Sequence, residues 1–230
     1  MEPLYTTKKT CICCETSYQT SRVRPSFKKA DSRDTDFRAC YKGEINPDYY
    51  VACVCPECGF TSTENGISSM TDAQRQKYYG EIGARWTHRD YGGSRTRAQA
   101  LVCFKLALVC AGLVGEKERV VAGILHHIAW LYRTEGGAEQ EQRFLRYALD
   151  AYVAVFETEG VSLNNAKLMY LIGELHRRIG DPRTAVRWFS RVVNDKKITD
   201  AAMIRASREQ WQQIREEQTG LDEETAAGIA

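Results

Sequence analysis

The sequence predicts a mainly α protein: a small zinc-ribbon-like N-terminal module followed by an antiparallel, tetratricopeptide-like helical array. Three observations carry that expectation. Seven of the nine cysteines, at 11, 13, 14, 40, 53, 55 and 58, fall in the first quarter of the 230-residue chain, among the turn-forming Pro25, Gly43, Pro47, Pro56 and Gly59. From Thr71 onward, apolar residues recur at helical spacing between short glycine-marked loops. Between Met169 and Phe189 the order of small and large residues follows the tetratricopeptide signature.

Within the first module, the β-favouring run Ser17 to Arg24 reads as one strand. Tyr49 to Val54 reads as a second, leading into a cysteine pair. Helices are expected at Asp72 to Trp86, Ser94 to Leu113, 116–135, 138–158, 162–179, 182–195 and 200–217, separated by Gly115, Gly136-Gly137, Gly160 and Gly180. The sharpest boundary is Gly180-Asp181-Pro182. There a glycine ends one helix, an aspartate caps the next and a proline fits its first turn. The organisation that results is a zinc-binding loop and strand module at 1–68, a helical domain at 69–218 and a flexible tail at 219–230.

Hydrophobic residues at 43% and charged residues at 27% fall close to ordinary globular usage and favour neither a disordered chain nor a membrane protein. The net charge of +2 is too even to point to nucleic acid or an anionic membrane as a bulk partner. The amino terminus lacks the apolar core of a signal peptide, and no run reaches the roughly 20 apolar residues of a bilayer span, so a cytoplasmic protein is expected. A reducing cytosol disfavours lasting disulfides, and an odd number of cysteines cannot all pair within one chain. Metal binding is therefore the better explanation of the thiols.

Cys11-Ile12-Cys13-Cys14 and Cys55-Pro56-Glu57-Cys58 each contain a C-x-x-C pair, a spacing that brings two thiolates from one tight turn to one ion. The expected site is one structural zinc ion held by Cys11, Cys14, Cys55 and Cys58, with no open position for water or substrate. Gly59 suits the positive φ of the second knuckle, whereas Glu15 departs from that pattern in the first. Cys13, Cys40 and Cys53 are expected to be spectators. A thiol redox switch that ejects zinc is the alternative use for them. Cys103 and Cys110 read as buried residues on an apolar helical face.

In the helical part, Gly173 and Ala185 permit close helix approach, and Ile172, Leu175 and Phe189 fill the seam. Leu125 to Tyr132, followed by Leu145, Ala148 and Tyr152, reads as an earlier, degenerate unit. In that register His126, Trp130 and Arg133, then Tyr170, Glu174 and Arg177, line an inner face able to bind a protein or peptide. The competing expectation is that Trp130 packs inward and the arginines are solvated.

Residues 22 to 42 interleave Arg22, Arg24, Lys28, Lys29, Arg33, Arg38 and Lys42 with Phe27, Phe37 and Tyr41, the mix that single-stranded nucleic acid needs. Asp31, Asp34 and Asp36 offset that charge, so nucleic-acid binding stands as the alternative function. No nucleophile elbow, phosphate-cradling glycine loop or open metal shell occurs, and Asp34 and Asp36 read as loop residues rather than paired catalytic acids. A non-catalytic interaction protein is the expectation.

Cys11-x-x-Cys14, Asp34-x-Asp36-Phe37, Tyr41, Val54-Cys55-Pro56-Glu57-Cys58-Gly59-Phe60, Phe104 to Leu108, Ala129 to Arg133 and Trp188 to Arg191 together resemble the bacterial domain of unknown function 2225. The resemblance covers nearly the whole chain. It implies a zinc-ribbon-like front and tetratricopeptide-like helices, and brings no activity with it.

Overall fold

The structure, a computed structural model, describes residues 2–43, 45–159 and 165–227. It is mainly α, with small hairpins at the amino terminus. Strands β1 (Leu4–Thr10) and β2 (Ser17–Val23) pair antiparallel through their whole length, Leu4 opposite Val23 and Thr10 opposite Ser17. Two shorter hairpins follow, β3 (Ser32–Arg33) with β4 (Ala39–Cys40) and β5 (Cys53–Val54) with β6 (Thr61–Ser62). β1 was not expected: its sequence, with threonines and lysines in doublets, has no apolar–polar alternation, and its partner strand supplies the pairing. The expected strand from Tyr49 is shortened to β5. Pro47 and the Asn46 side chain, which accepts from the Asp48 amide, wind Pro47–Tyr50 into a 3₁₀ turn.

The helices are α1 (Asp72–Glu81), α2 (Arg97–Val114), α3 (Glu118–Glu135), α4 (Ala138–Glu159), α5 (Ala166–Arg178), α6 (Pro182–Asn194) and α7 (Ala201–Ala227). Thr71 with Gln74 and Thr96 with Gln99 form reciprocal capping boxes that start α1 and α2. α1 stops short of Trp86, and a 3₁₀ turn at Gly83–Arg85 takes over. Gly80 and Gly83 weaken the continuation there. Gly160 and the expected helix start at 162 lie outside the described residues. The backbone of α7 runs to Ala227, past the 219 boundary of the expected tail. No proline interrupts it, and pairs such as Gln212–Glu216 and Gln213–Glu217 support its last described side chains.

The chain divides into compact units Met1–Phe144 and Leu145–Ala230. In the first unit the cysteine module shares its core with the helices. Ala52 and Val54 belong to one cluster with Phe104, Ala107 and Ile128, while Cys55, Cys58 and Phe60 belong to another with Tyr78, Cys110 and Val114. Among the described residues α2, at 18 residues, is the one helix long and apolar enough by length and composition to cross a membrane, a test that a core helix also passes. Its buried face, from Ala100 to Val114, is the spine of both clusters. In the second unit α5 and α6 pack antiparallel as expected, with Ile172, Leu175, Ala185 and Phe189 all buried.

Candidate metal centre

Each C-x-x-C pair sits in the turn of a hairpin, the first between β1 and β2 and the second between β5 and β6. The two turns have the same hydrogen-bond frame. The Cys11 amide donates to Thr16 O (3.0 Å) and Cys11 O accepts from the Glu15 amide (2.9 Å); the Cys55 amide donates to Phe60 O (3.0 Å) and Cys55 O accepts from the Gly59 amide (2.9 Å). Glu15 and Gly59 both take a positive φ, 63° and 74°. The first knuckle, doubtful in the sequence because of Glu15, is therefore the geometric equal of the second.

The four sulfurs of Cys11, Cys14, Cys55 and Cys58 lie within 4.8 Å of one another and could hold a metal ion. Cys11 to Cys58 and Cys14 to Cys55 are each 3.6 Å. Hydrogen bonding among sulfurs this close lets one ionise while its neighbours stay protonated. Cys55 is lowered to about 2, first by the thiols of Cys11 and Cys58 donating to it. Cys11 is pushed up to about 12, first by Cys55, and Cys58 is pushed up by Cys11 and Cys55. Holding four thiolates together therefore needs a cation.

The other cysteines lie outside this set of four, though the Cys13 amide donates to Cys11 Sγ at 3.4 Å, and all nine are free thiols. Cys13 and Cys53 are buried beside it, Cys53 Sγ accepting from Lys9 Nζ at 3.4 Å. Cys40 lies 3.7 Å from Asp34 Oδ1. Cys103 and Cys110 are buried in α2, each thiol pushed up to about 11 by burial.

Residues without a sequence signal clamp the knuckles. Tyr78 Oη donates to Cys58 O (2.7 Å), Trp86 Nε1 donates to Pro56 O (2.8 Å), and Arg75 reaches Cys13 O. Trp86 lies flat enough on the second knuckle that a Cβ on Gly59 would come within 2.3 Å of its ring. Buried Arg95 binds the carbonyl oxygens of Tyr49 (2.9 Å), Ala52 (2.6 Å) and Tyr91 (2.7 Å), fixing the chain as it enters that knuckle.

Within each unit, the residues expected on the inner face are turned partly or wholly into the protein. In the first unit His126 is buried, and Trp130 and Arg133 turn onto the loop that joins β3 to β4. Fully buried Asp36 accepts from Arg133 Nη2 (2.7 Å), Trp130 Nε1 (3.0 Å) and His126 Nε2 (3.3 Å). Asp34 accepts from Arg38 Nε (2.7 Å) and Arg133 Nη1 (2.8 Å), and Arg133 Nε also donates to Glu141 (2.6 Å). In the second unit Tyr170 and Glu174 are buried. Glu174 receives Arg177 through two 2.8 Å hydrogen bonds and Arg178 through one of 2.7 Å. These polar side chains satisfy one another inside the protein, which is why they are not open binding anchors. Of the basic residues singled out, Arg22 pairs with Glu64 and Arg24 lies over the Tyr5 ring, 5.5 Å from its centroid. Lys28 and Lys29 form no ion pair among the described residues.

Residues 4–214 match the profile of a family described as an uncharacterised protein conserved in bacteria, the domain of unknown function 2225, and the chain belongs to that family. A search of curated proteins finds no match.

Proposed function

We propose that this member of the domain of unknown function 2225 family is a cytoplasmic, non-catalytic protein that carries one structural zinc ion and acts by binding a protein or peptide partner. The observation behind it is the sulfur geometry. Zinc–sulfur bonds of about 2.3 Å in a tetrahedron set neighbouring sulfurs about 3.8 Å apart. The spacings of 3.6 Å, inside a set no wider than 4.8 Å, suit that arrangement. Four thiolates leave no position for a substrate, which favours a structural centre. Asp34, Asp36 and Glu174, acids that would otherwise draw attention as catalysts, are each held by arginine. Helix hairpins of the α5–α6 kind are common partner-binding scaffolds, although the six residues first assigned to the groove are mostly occupied internally.

Metal analysis of the purified chain is expected to give one zinc per chain and none for Cys55→Ser. Iron in its place, with thiolate-to-iron colour, would overturn the zinc assignment, because a tetrahedral sulfur site accepts either metal. Crosslinking in the bacterial host is expected to recover a stoichiometric protein partner of the intact chain. No such partner, or turnover of a substrate by the purified chain, would overturn the interaction reading.

A further inference from the structure

A cavity of about 480 Å³ opens beside the β1–β2 hairpin, lined by Phe27, Lys29, Asp31, Tyr41, Lys42 and Ile45 among others. Its size suits a nucleoside-sized group. Two of the most exposed aromatic rings in the protein sit in this region. Phe27, 41% exposed, is on the cavity wall, and Tyr5, 40% exposed, lies two residues from Pro3, which also lines it. The Arg24 amide donates to Pro3 O (2.9 Å) while its guanidinium covers Tyr5, so hairpin edge and cavity wall are tied together.

The charge of the segment sorts by direction. Asp34 and Asp36, which offset it in the sequence, turn inward onto Arg38 and Arg133. What remains outside is mainly cationic: Lys28 and Lys29, with no ion pair among the described residues, and Lys42, whose side chain is 87% exposed and meets Asp31 only at 3.9 Å. Exposed rings beside Lys28 and Lys29, with Lys42 only loosely paired to Asp31 of the cavity wall, are the ingredients of a single-strand platform, where bases stack and phosphates meet ammonium groups. A surface for an acidic peptide would need the lysines but not the rings.

We infer that this cavity and its rim bind single-stranded nucleic acid, with a base stacked on Phe27 and Tyr41 and flanking phosphates on Lys28, Lys29 and Lys42. The assignment does not depend on the metal's identity or on a protein partner.

Fluorescence anisotropy of the full metal-loaded chain, with a labelled single strand of about 12 nucleotides, tests it across a salt series. Binding is expected to weaken as salt rises. Phe27→Ala is expected to weaken it about tenfold at every salt concentration, and Lys29→Ala to lower the slope of log affinity against log salt by about one. Both residues lie at the surface, so unchanged melting curves confirm intact variants. Lys117→Ala, at an exposed lysine before α3, is the charge-matched control and is expected to bind as the parent does. No binding at low salt, an unchanged Phe27→Ala variant, or equal loss in Lys117→Ala would overturn the inference. So would a polyglutamate peptide or a mononucleotide that competes as well as the strand.

Discussion

Glu15 and Gly59 occupy equivalent places in the two knuckles but meet the same backbone demand at different cost. A left-handed conformation costs a residue with a Cβ about 1–2 kcal/mol, and Gly59 avoids it. Gly59→Ala is expected to lower stability by about 2 kcal/mol or more, since strain adds to a clash with Trp86. Glu15→Gly is expected to leave stability unchanged or raise it by up to about 1 kcal/mol, because its ion pair with Arg75 is largely exposed. Denaturant midpoints moving the same way for both would contradict the equivalence of the knuckles. Asp36 poses a different residue-scale problem, that of a fully buried carboxylate. Asp36→Ala strips Arg133, Trp130 and His126 of a shared acceptor and is expected to cost about 3–5 kcal/mol in urea unfolding. pH acts on the same cluster in two stages. Burial lowers the pKa of His126 against the pull of Asp36, so the unfolded chain takes up that proton first, and stability starts to fall below about pH 6.5. Burial alone would raise the pKa of Asp34, but hydrogen bonds from Arg38 and Arg133 outweigh it and lower it, so its contribution is lost only as pH falls through the acid end of the carboxylate range. His126→Gln is expected to flatten the first stage relative to the parent, as judged by urea midpoints at pH 7 and pH 5.5. Equal slopes would remove His126 as the source.

The elements differ in how much of them the sequence discloses. The α5–α6 turn is legible because each of its residues has a local reason: Gly180 takes a φ of 86°, the Asp181 side chain accepts from the Thr184 amide at 3.1 Å, and Pro182 begins α6. Asp181→Ala is expected to cost about 1 kcal/mol. Gly173 matters through its neighbour, since a Cβ there would lie 2.8 Å from the Phe189 ring. Gly173→Ala therefore sets a helix-propensity gain of about 1 kcal/mol against overpacking of about 1–3 kcal/mol, and a lower melting temperature is expected. The cysteine pairs were readable for the same reason, with each knuckle encoded within five residues. What was misread depends on distant partners. Helical spacing correctly put His126, Trp130 and Arg133 on one face, but whether that face met water depended on Asp36, 97 residues from Arg133. Arg95 gave no signal at all, because an arginine that binds backbone carbonyl oxygens reads like any surface cation.

Across the whole molecule, the cysteines and the helices are unevenly coupled. In the first unit the cluster around Cys11, Cys55 and Cys58 includes Tyr78 of α1 and Cys110 and Val114 of α2, so the knuckles are part of a helical core. The second unit buries Ile172, Leu175, Phe189, Val192 and Ile214, and none of its core residues is a cysteine. A structural metal contributes on the order of 10 kcal/mol, comparable with the whole stability of a domain. Without such an ion the four sulfurs could not all remain ionised, in a module with few apolar side chains of its own. A strong chelator is therefore expected to unfold β1 to β6 and loosen α1, while α5, α6 and α7 keep their protection. Hydrogen exchange on the full chain checks this segment by segment: amides of 4–23 and 53–62 are expected to lose protection on chelation, and those of 168–192 to retain it. Thiol labelling supplies a second reading. Cys11, Cys14, Cys55 and Cys58 are expected to become reactive together, whereas Cys103, held in the buried face of α2 with its thiol pushed up to about 11, is expected to react later. Uniform loss of protection across both units would mean that the metal stabilises the entire chain, and unchanged protection in 53–62 would mean that the four cysteines fold without a cation.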